Sequence, residues 1–260
     1  MCRWWYTGAM QGWELVLYGT VCLAVSVVSG IAGAGGGFIL TPLGIFLGLT
    51  PAQAVSTGKF NGLSASVGSL WGMRSARGQV SLARVLPVMG LAFGIGLLAP
   101  LVIKSLDNDI YRIVLGVILL LMIPVMLLKR VGLHRYRPTL WQKTGGGILL
   151  SLALMLQGVF SGGLGTLVNI VLMGMLGMTA VEANITKRWS QLILNGTIIL
   201  GVVGSGLVLW HVAAVGVCTT LVGSYFGGKL AVRRGDAFVM RVMVVLMFIS
   251  AMLLIFGGWG

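Results

Sequence analysis

Residues Gly33 to Phe60 read GAGGGFILTPLGIFLGLTPAQAVSTGKF, and residues Gly162 to Trp189 read GGLGTLVNIVLMGMLGMTAVEANITKRW. An ungapped shift of 129 positions lays the first stretch on the second. Gly33 falls on Gly162, Gly36 on Gly165, Gly48 on Gly177, Thr50 on Thr179, Thr57 on Thr186 and Lys59 on Arg188. Further along, the same shift lays Gly72 on Gly201, Gly94 on Gly223, Lys104 on Arg233 and Asp107 on Asp236. A single pair of glycines carries little weight, but one constant offset across most of each half identifies a duplication. In each copy a glycine cluster opens a short apolar run, a Gly-x-Thr turn closes it, and a polar-studded helix with a deep cation follows.

Composition sets the solvent in which these copies fold. Of 260 residues, 57% are hydrophobic and 9% charged, and the mean hydropathy is +1.01. Soluble domains carry about 25% charged residues, so the chain is read as an all-α integral membrane protein. Five acids face eighteen Lys and Arg, a net charge of +13. The basic residues cluster in short loops between apolar runs, which writes membrane orientation and argues against a nucleic-acid partner. Cys2, Cys22 and Cys218 have no metal-ligand spacing, so neither metal nor cofactor is expected. The first apolar run is long and has no small-residue cleavage site, and it reads as a retained helix.

Ten apolar segments can be marked, at about 13–32, 37–48, 52–73, 82–103, 110–128, 145–161, 164–177, 180–205, 210–231 and 237–256. This divides the chain into a first repeat over 1–128, a basic linker over 129–144 and a second repeat over 145–260. Segments two and seven are short, glycine-flanked and equivalent in the two halves. Such interrupted pairs are the sequence pointer to a transporter's binding site. Arg74, Arg77 and Arg84 follow segment three; Lys129, Arg130, Arg135, Arg137 and Lys143 join segments five and six; Lys229, Arg233 and Arg234 close segment nine. With ten crossings, every strongly basic loop falls on one side, which is then cytoplasmic. An odd number of spans per half also makes the repeats inverted. A short segment is allowed to cross only part of the bilayer.

Lys59 and Arg188 lie seven or eight residues into helices that enter from opposite sides, which places both near the midplane of a core about 30 Å thick. Cations at that depth are costly, face the interior and mark function. Asn184, Arg188, Gln191 and Asn195 share one helical stripe. The matching stripe of Val55, Lys59, Gly62 and Ser66 is less polar. Gly35, Gly36 and Gly37, with Gly163 and Gly165, open the short segments, where backbone N–H groups and the helix dipole suit an anion. Lys59, Arg188, Gln191, Asn195, Ser66 and these glycines are therefore the candidate substrate ligands. Glu182 opens segment eight, either as a first-turn acid complementing the dipole or as a proton carrier. Ser161 and His211 carry no spacing that supports an intramembrane hydrolase.

The blocks Gly33–Pro42 and Gly48–Thr57, G-x-G-G-G-x-x-x-x-P and G-L-T-P-x-x-A-x-x-T, resemble the TauE/SafE family of sulfite exporters and organosulfonate permeases. Gly162–Gly165 and Gly177–Thr186 are similar to that family's second repeat, with Val171 in the place of Pro42. The resemblance implies transport of sulfite, sulfonates or related sulfur anions, coupled to protons, in the inner membrane of the cell. The expectation is a secondary transporter rather than an enzyme, with a small anion and the lipid bilayer as its partners. An anion channel and, further off, an intramembrane enzyme are the alternatives.

Overall fold

The computed structural model describes residues 12–33, 36–105, 138–160, 164–242 and 245. Eight α-helices fall within them: α1 (Trp13–Ala32), α2 (Gly37–Phe46), α3 (Pro51–Gly72), α4 (Leu82–Ser105), α5 (Leu140–Phe160), α6 (Gly165–Gly174), α7 (Ala180–Val202) and α8 (Trp210–Arg234). A 3₁₀ turn at Arg74–Gln79 joins α3 to α4, and the chain is helical again over 236–242. The protein is all-α, as the apolar pattern requires. The fifth and most of the tenth segment, most of the basic linker, Gly35, Ser161 and Gly163 lie outside the described residues.

Local chemistry explains why the two copies form the same pieces. Thr50 and Thr179 cap α3 and α7, each accepting a bond from the backbone N–H three residues on. Gln53 and Glu182 reach back to the cap residue's own N–H, at 3.1 and 3.2 Å. These are matching capping boxes, one closed by an amide and one by a carboxylate. Gly48 and Gly177 stand two residues before the caps, at φ +92° and +66°. Only glycine takes that conformation without strain, so the short helices α2 and α6 end there in the same way.

Ten residues rise about 15 Å, half of the hydrocarbon core. The short segments therefore extend across part of the bilayer only. Leu40 on α2 is buried with Tyr18 and Cys22 of α1 and Val212 of α8, and Gly44 lies under Leu49 and Ala54. α2 thus returns to the end of the molecule from which α1, α3 and α8 set out.

Helix directions follow from close glycine contacts. A Cβ on Gly30 would lie 3.0 Å from Cα of Gly227, and one on Gly72 would lie 2.8 Å from N of Lys229. At the other end, the backbone N–H of Leu209 donates to Thr57 Oγ1 at 3.2 Å. α1, α3 and α8 are therefore parallel neighbours. α4 and α7 run parallel to each other, with Gly96 against Thr197 and Gly201 against Pro100. α7 runs against α1, since Asn184 meets Ile31 and Arg188 meets Ser29. The ends of α3 and α8 and the starts of α4, α5 and α7 accordingly share one face. That face gathers Arg74, Arg84, Lys143, Lys229, Arg233 and Arg234, while Lys104 is in the last turn of α4 at the opposite end.

Among the described residues four helices, α1, α4, α5 and α8, are long and apolar enough to cross a membrane. α3 and α7 are as long but more polar than α1, α4 and α5, and most of their residues are buried. They pack against each other at the centre of the bundle, with α8 packed on α3, α1 on the far side of α8, and α4 packed on α7. Polar helices are tolerated here because other helices, not lipid, surround them.

Helix contact through glycine can be tested directly. A Cβ on Gly228 would lie 2.5 Å from the carbonyl oxygen of Ser69, whereas one on Gly94 meets nothing within 4 Å. Gly228→Ala should destabilise the detergent-solubilised protein by about 1–3 kcal/mol through overpacking. Gly94→Ala should be neutral or stabilising by roughly 0.5–1 kcal/mol, as expected for glycine inside a helix. Thermal unfolding of the two variants measures the difference.

Candidate functional site

A cavity of about 50 Å³ lies where α3 and α7 cross. A water-sized group occupies roughly 10–15 Å³ on this measure, so the space suits a few such groups rather than a large ligand. α7 contributes Arg188, Gln191 and Asn195; α3 contributes Asn61, Gly58 and Gly62. The first residues of both short helices, Gly37 and Gly165, also line it, together with Gly36. Both halves of the chain therefore meet at one cavity.

Arg188 is fully buried. Its Nη2 donates to the carbonyl of Ser29 at 2.5 Å, while Nε and Nη1 have no hydrogen-bond partner. Gln191 Oε1 and Asn195 Nδ2 on the same stripe are also unpartnered. Gly62 makes their position possible, because a Cβ there would stand 2.5 Å from Asn195 Nδ2. Asn61 donates through Nδ2 to the Tyr18 hydroxyl at 2.8 Å, and its Oδ1 is left without a partner. Buried polar groups without partners cost about 1–3 kcal/mol each, and the four residues that carry them all line this one cavity.

Lys59 has a different role from its twin. It is buried, but it does not line the cavity. Nζ donates to the carbonyls of Gln157 at 3.2 Å and Gly158 at 2.5 Å. The 129-residue shift lays Ser29 on Gly158, so the two cations make equivalent bonds. Lys59 of the first half caps the end of α5, and Arg188 of the second half caps the end of α1. A helix C-terminus carries partial negative charge and free carbonyls, which suit a cation.

The end of α1 is bound more heavily than that of α5. Asn184 donates to the carbonyls of Gly30 and Ile31 at 3.3 and 3.0 Å, and Asn169 donates to that of Ala32 at 3.1 Å. Lys187, fully buried, donates to the carbonyl of Gly33. The sequence reading passed over Lys187, Asn61 and Tyr18. Lys187 corresponds to Gly58, and a repeat comparison that scores only matches overlooks such a gain. Asn184 belongs to this cap rather than to the cavity wall. Ser66 donates to Gly62 on its own helix at 2.8 Å and does not line the cavity. Glu182 is buried in its capping box, away from the cavity lining. Among the described residues no group of three or more His, Cys, Asp or Glu is placed to hold a metal.

A helical bundle with apolar spans around buried polar helices, enclosing a small cavity lined by polar side chains, defines a polytopic membrane protein with a polar centre. Residues 18–254 match the sequence profile of the sulfite exporter TauE/SafE family, and the chain belongs to that family. It is similar to a probable membrane transporter protein of Haemophilus influenzae, 25% identical over 255 residues, which is 92% of this chain and 94% of the relative. A probable membrane transporter protein, ORF9, of a Sinorhizobium species is 26% identical over 227 residues, 84% of this chain and 83% of its own length. No solved structure matches the chain. The protein is a multi-pass membrane transporter with a small-molecule substrate.

The cap geometry predicts separable consequences for Lys59. Lys59→Met strips the donor from two buried carbonyls, so it should lower the thermal unfolding temperature, at a cost of about 1–3 kcal/mol. Lys59→Arg should retain most of the stability. If Lys59→Met melts like the wild type yet loses transport, Lys59 acts on the substrate and is not a cap.

Proposed function

We propose that the protein is a secondary transporter, not an enzyme, that moves a small anion through the cavity between its halves, in the inner membrane. The single observation that carries this reading is Arg188. It is fully buried and lines the cavity, with one nitrogen bonded to a carbonyl and two others without a partner. A charge in that state is costly. An anion in the cavity would offset that cost through charge-assisted, two-pronged bonds of the kind a guanidinium forms with oxyanions. Gln191, Asn195 and Asn61 would complete the shell, and the N-termini of α2 and α6 would add backbone donors and positive dipole. Membership of the sulfite exporter family supports a sulfur oxyanion or organosulfonate, and the small cavity favours the smaller anions of that class.

Two features support the inverted arrangement that alternating access uses. The equivalent helices α3 and α7 cross in opposite directions, and the two cations cap opposite halves in equivalent positions. The basic loops gathered on one face support a cytoplasmic location for that face. Proton coupling is read from the family resemblance and from Glu182, the one acid among the buried polar residues described.

The test is anion flux in proteoliposomes beside anion binding in detergent. Arg188→Met should weaken anion binding by about 2–5 kcal/mol. Arg188→Lys should keep the bond to Ser29 and the fold, yet recover little binding, because a point charge cannot replace the planar fork. Wild-type binding in both variants would overturn the site.

Glu182→Gln should melt like the wild type, since Gln53 closes the equivalent box with an amide. If Glu182 carries the proton, the variant transports without dependence on the proton gradient. Retained gradient dependence would leave Glu182 as a helix cap alone.

A further inference from the structure

A second cavity, of about 210 Å³, opens at the basic face, between the end of α3, the 3₁₀ turn and the last turns of α8. We propose that it binds the phosphate-bearing headgroup of an anionic lipid. Arg74 of the 3₁₀ turn and Lys229 and Arg233 of α8 line it, and no acid does. Three like charges on two separate elements converge there because the helices touch. Gly72 has no side chain to separate α3 from α8, and a Cβ on it would collide with the backbone of Tyr225 and Lys229. Cations in the last turn of α8 also complement its dipole, but that role accounts for neither Arg74 nor the shared cavity.

The walls indicate where the cavity sits. Trp71 is 55% exposed and meets Tyr225 edge to face, with ring centroids 5.6 Å apart. Lys229 Nζ stands 5.8 Å from the centre of the Tyr225 ring. Exposed Trp beside Tyr at the end of membrane-length helices marks the headgroup level. Basic pockets between such helices take lipid phosphates, and guanidinium groups suit phosphate oxygens. The cavity is larger than a phosphate alone needs, and Ser75 on its rim adds a hydroxyl for the polar remainder of a headgroup. Only a lipid, whose tails would lie beside Trp71, uses the aromatic wall.

The test uses the full chain purified in a neutral detergent and titrated with dihexanoyl phosphatidylglycerol, dihexanoyl phosphatidylcholine or inorganic phosphate, with affinity read from thermal stabilisation. The wild type should bind the glycerol lipid at least about tenfold more tightly than the choline lipid or free phosphate. Lys229→Gln should remove most of that preference. Arg234→Gln, an equal loss of charge beside the cavity, should change affinity less than about twofold. Unchanged melting of both variants without lipid serves as the folding control. Equal loss in the two variants, or no preference over the choline lipid, would overturn the proposal. Tighter binding of inorganic phosphate than of the lipid would overturn the lipid as the ligand.

Discussion

The structure depends on three buried cations, Lys59, Lys187 and Arg188, held by the backbone rather than by acids. Lys59 donates to the carbonyls of Gln157 and Gly158, and Arg188 to that of Ser29. Each side chain belongs to one half of the chain and ends a helix of the other. A buried charge requires compensation, and in a membrane an unpaired carbonyl also requires a donor. One bond meets both needs. Helices α1 and α5 can then stop inside the protein, short of a full hydrogen-bond complement, and their chains can turn back into the ten-residue helices α2 and α6. Without those internal stops there would be no two helix N-termini facing one cavity.

From that constraint follows the radial order of the bundle. α3 and α7 must carry cations and amides, so they cannot face lipid, and the apolar helices α1, α4, α5 and α8 surround them. Close approach is then set by glycine. Gly68, Gly72 and Gly228 bring α3 and α8 into backbone contact, and Gly30, Gly223 and Gly227 do the same for α1 and α8. With no hydrophobic drive between helices in lipid, such small-residue contacts supply the packing. The same closeness that seals the polar centre brings Arg74 and Lys229 to one pocket at the surface.

Much of this was legible in the residues. The constant offset pointed to two equivalent copies, and glycine flanks marked the short helices. The charged loops correctly grouped the ends of α3 and α8. What was not legible was the partner of each cation. A carbonyl has no side-chain signature, so Lys59 read as a substrate ligand although the structure commits its ammonium to α5. Ser66 read as a ligand because helical phase aligns it with Lys59, but a hydroxyl can satisfy itself on the carbonyl four residues back. Lys187 stood beside Arg188 in plain view. Its importance depends on the end of α1 being nearby, which no local pattern announces.

The duplication therefore conceals a functional asymmetry. Lysine and arginine at equivalent positions carry equal charge but unequal valence of direction. Lys59 bonds two carbonyls through a compact ammonium. Arg188 meets the same structural demand with a single nitrogen and leaves two more without a partner. Position 187 compounds the difference. Lys187 adds a cap in the second half, where the first half has Gly58, a lining residue with nothing within 4 Å of its Cβ direction. Gln191 and Asn195 stand opposite Gly62 and Ser66 in the repeat, so polar groups gather on α7 and space on α3. A symmetric pair of lysines would have placed two committed caps in the centre and no free donor. At this crossing the halves differ by an arginine and a glycine-lined wall on the one cavity, and the proposed anion site rests on that difference.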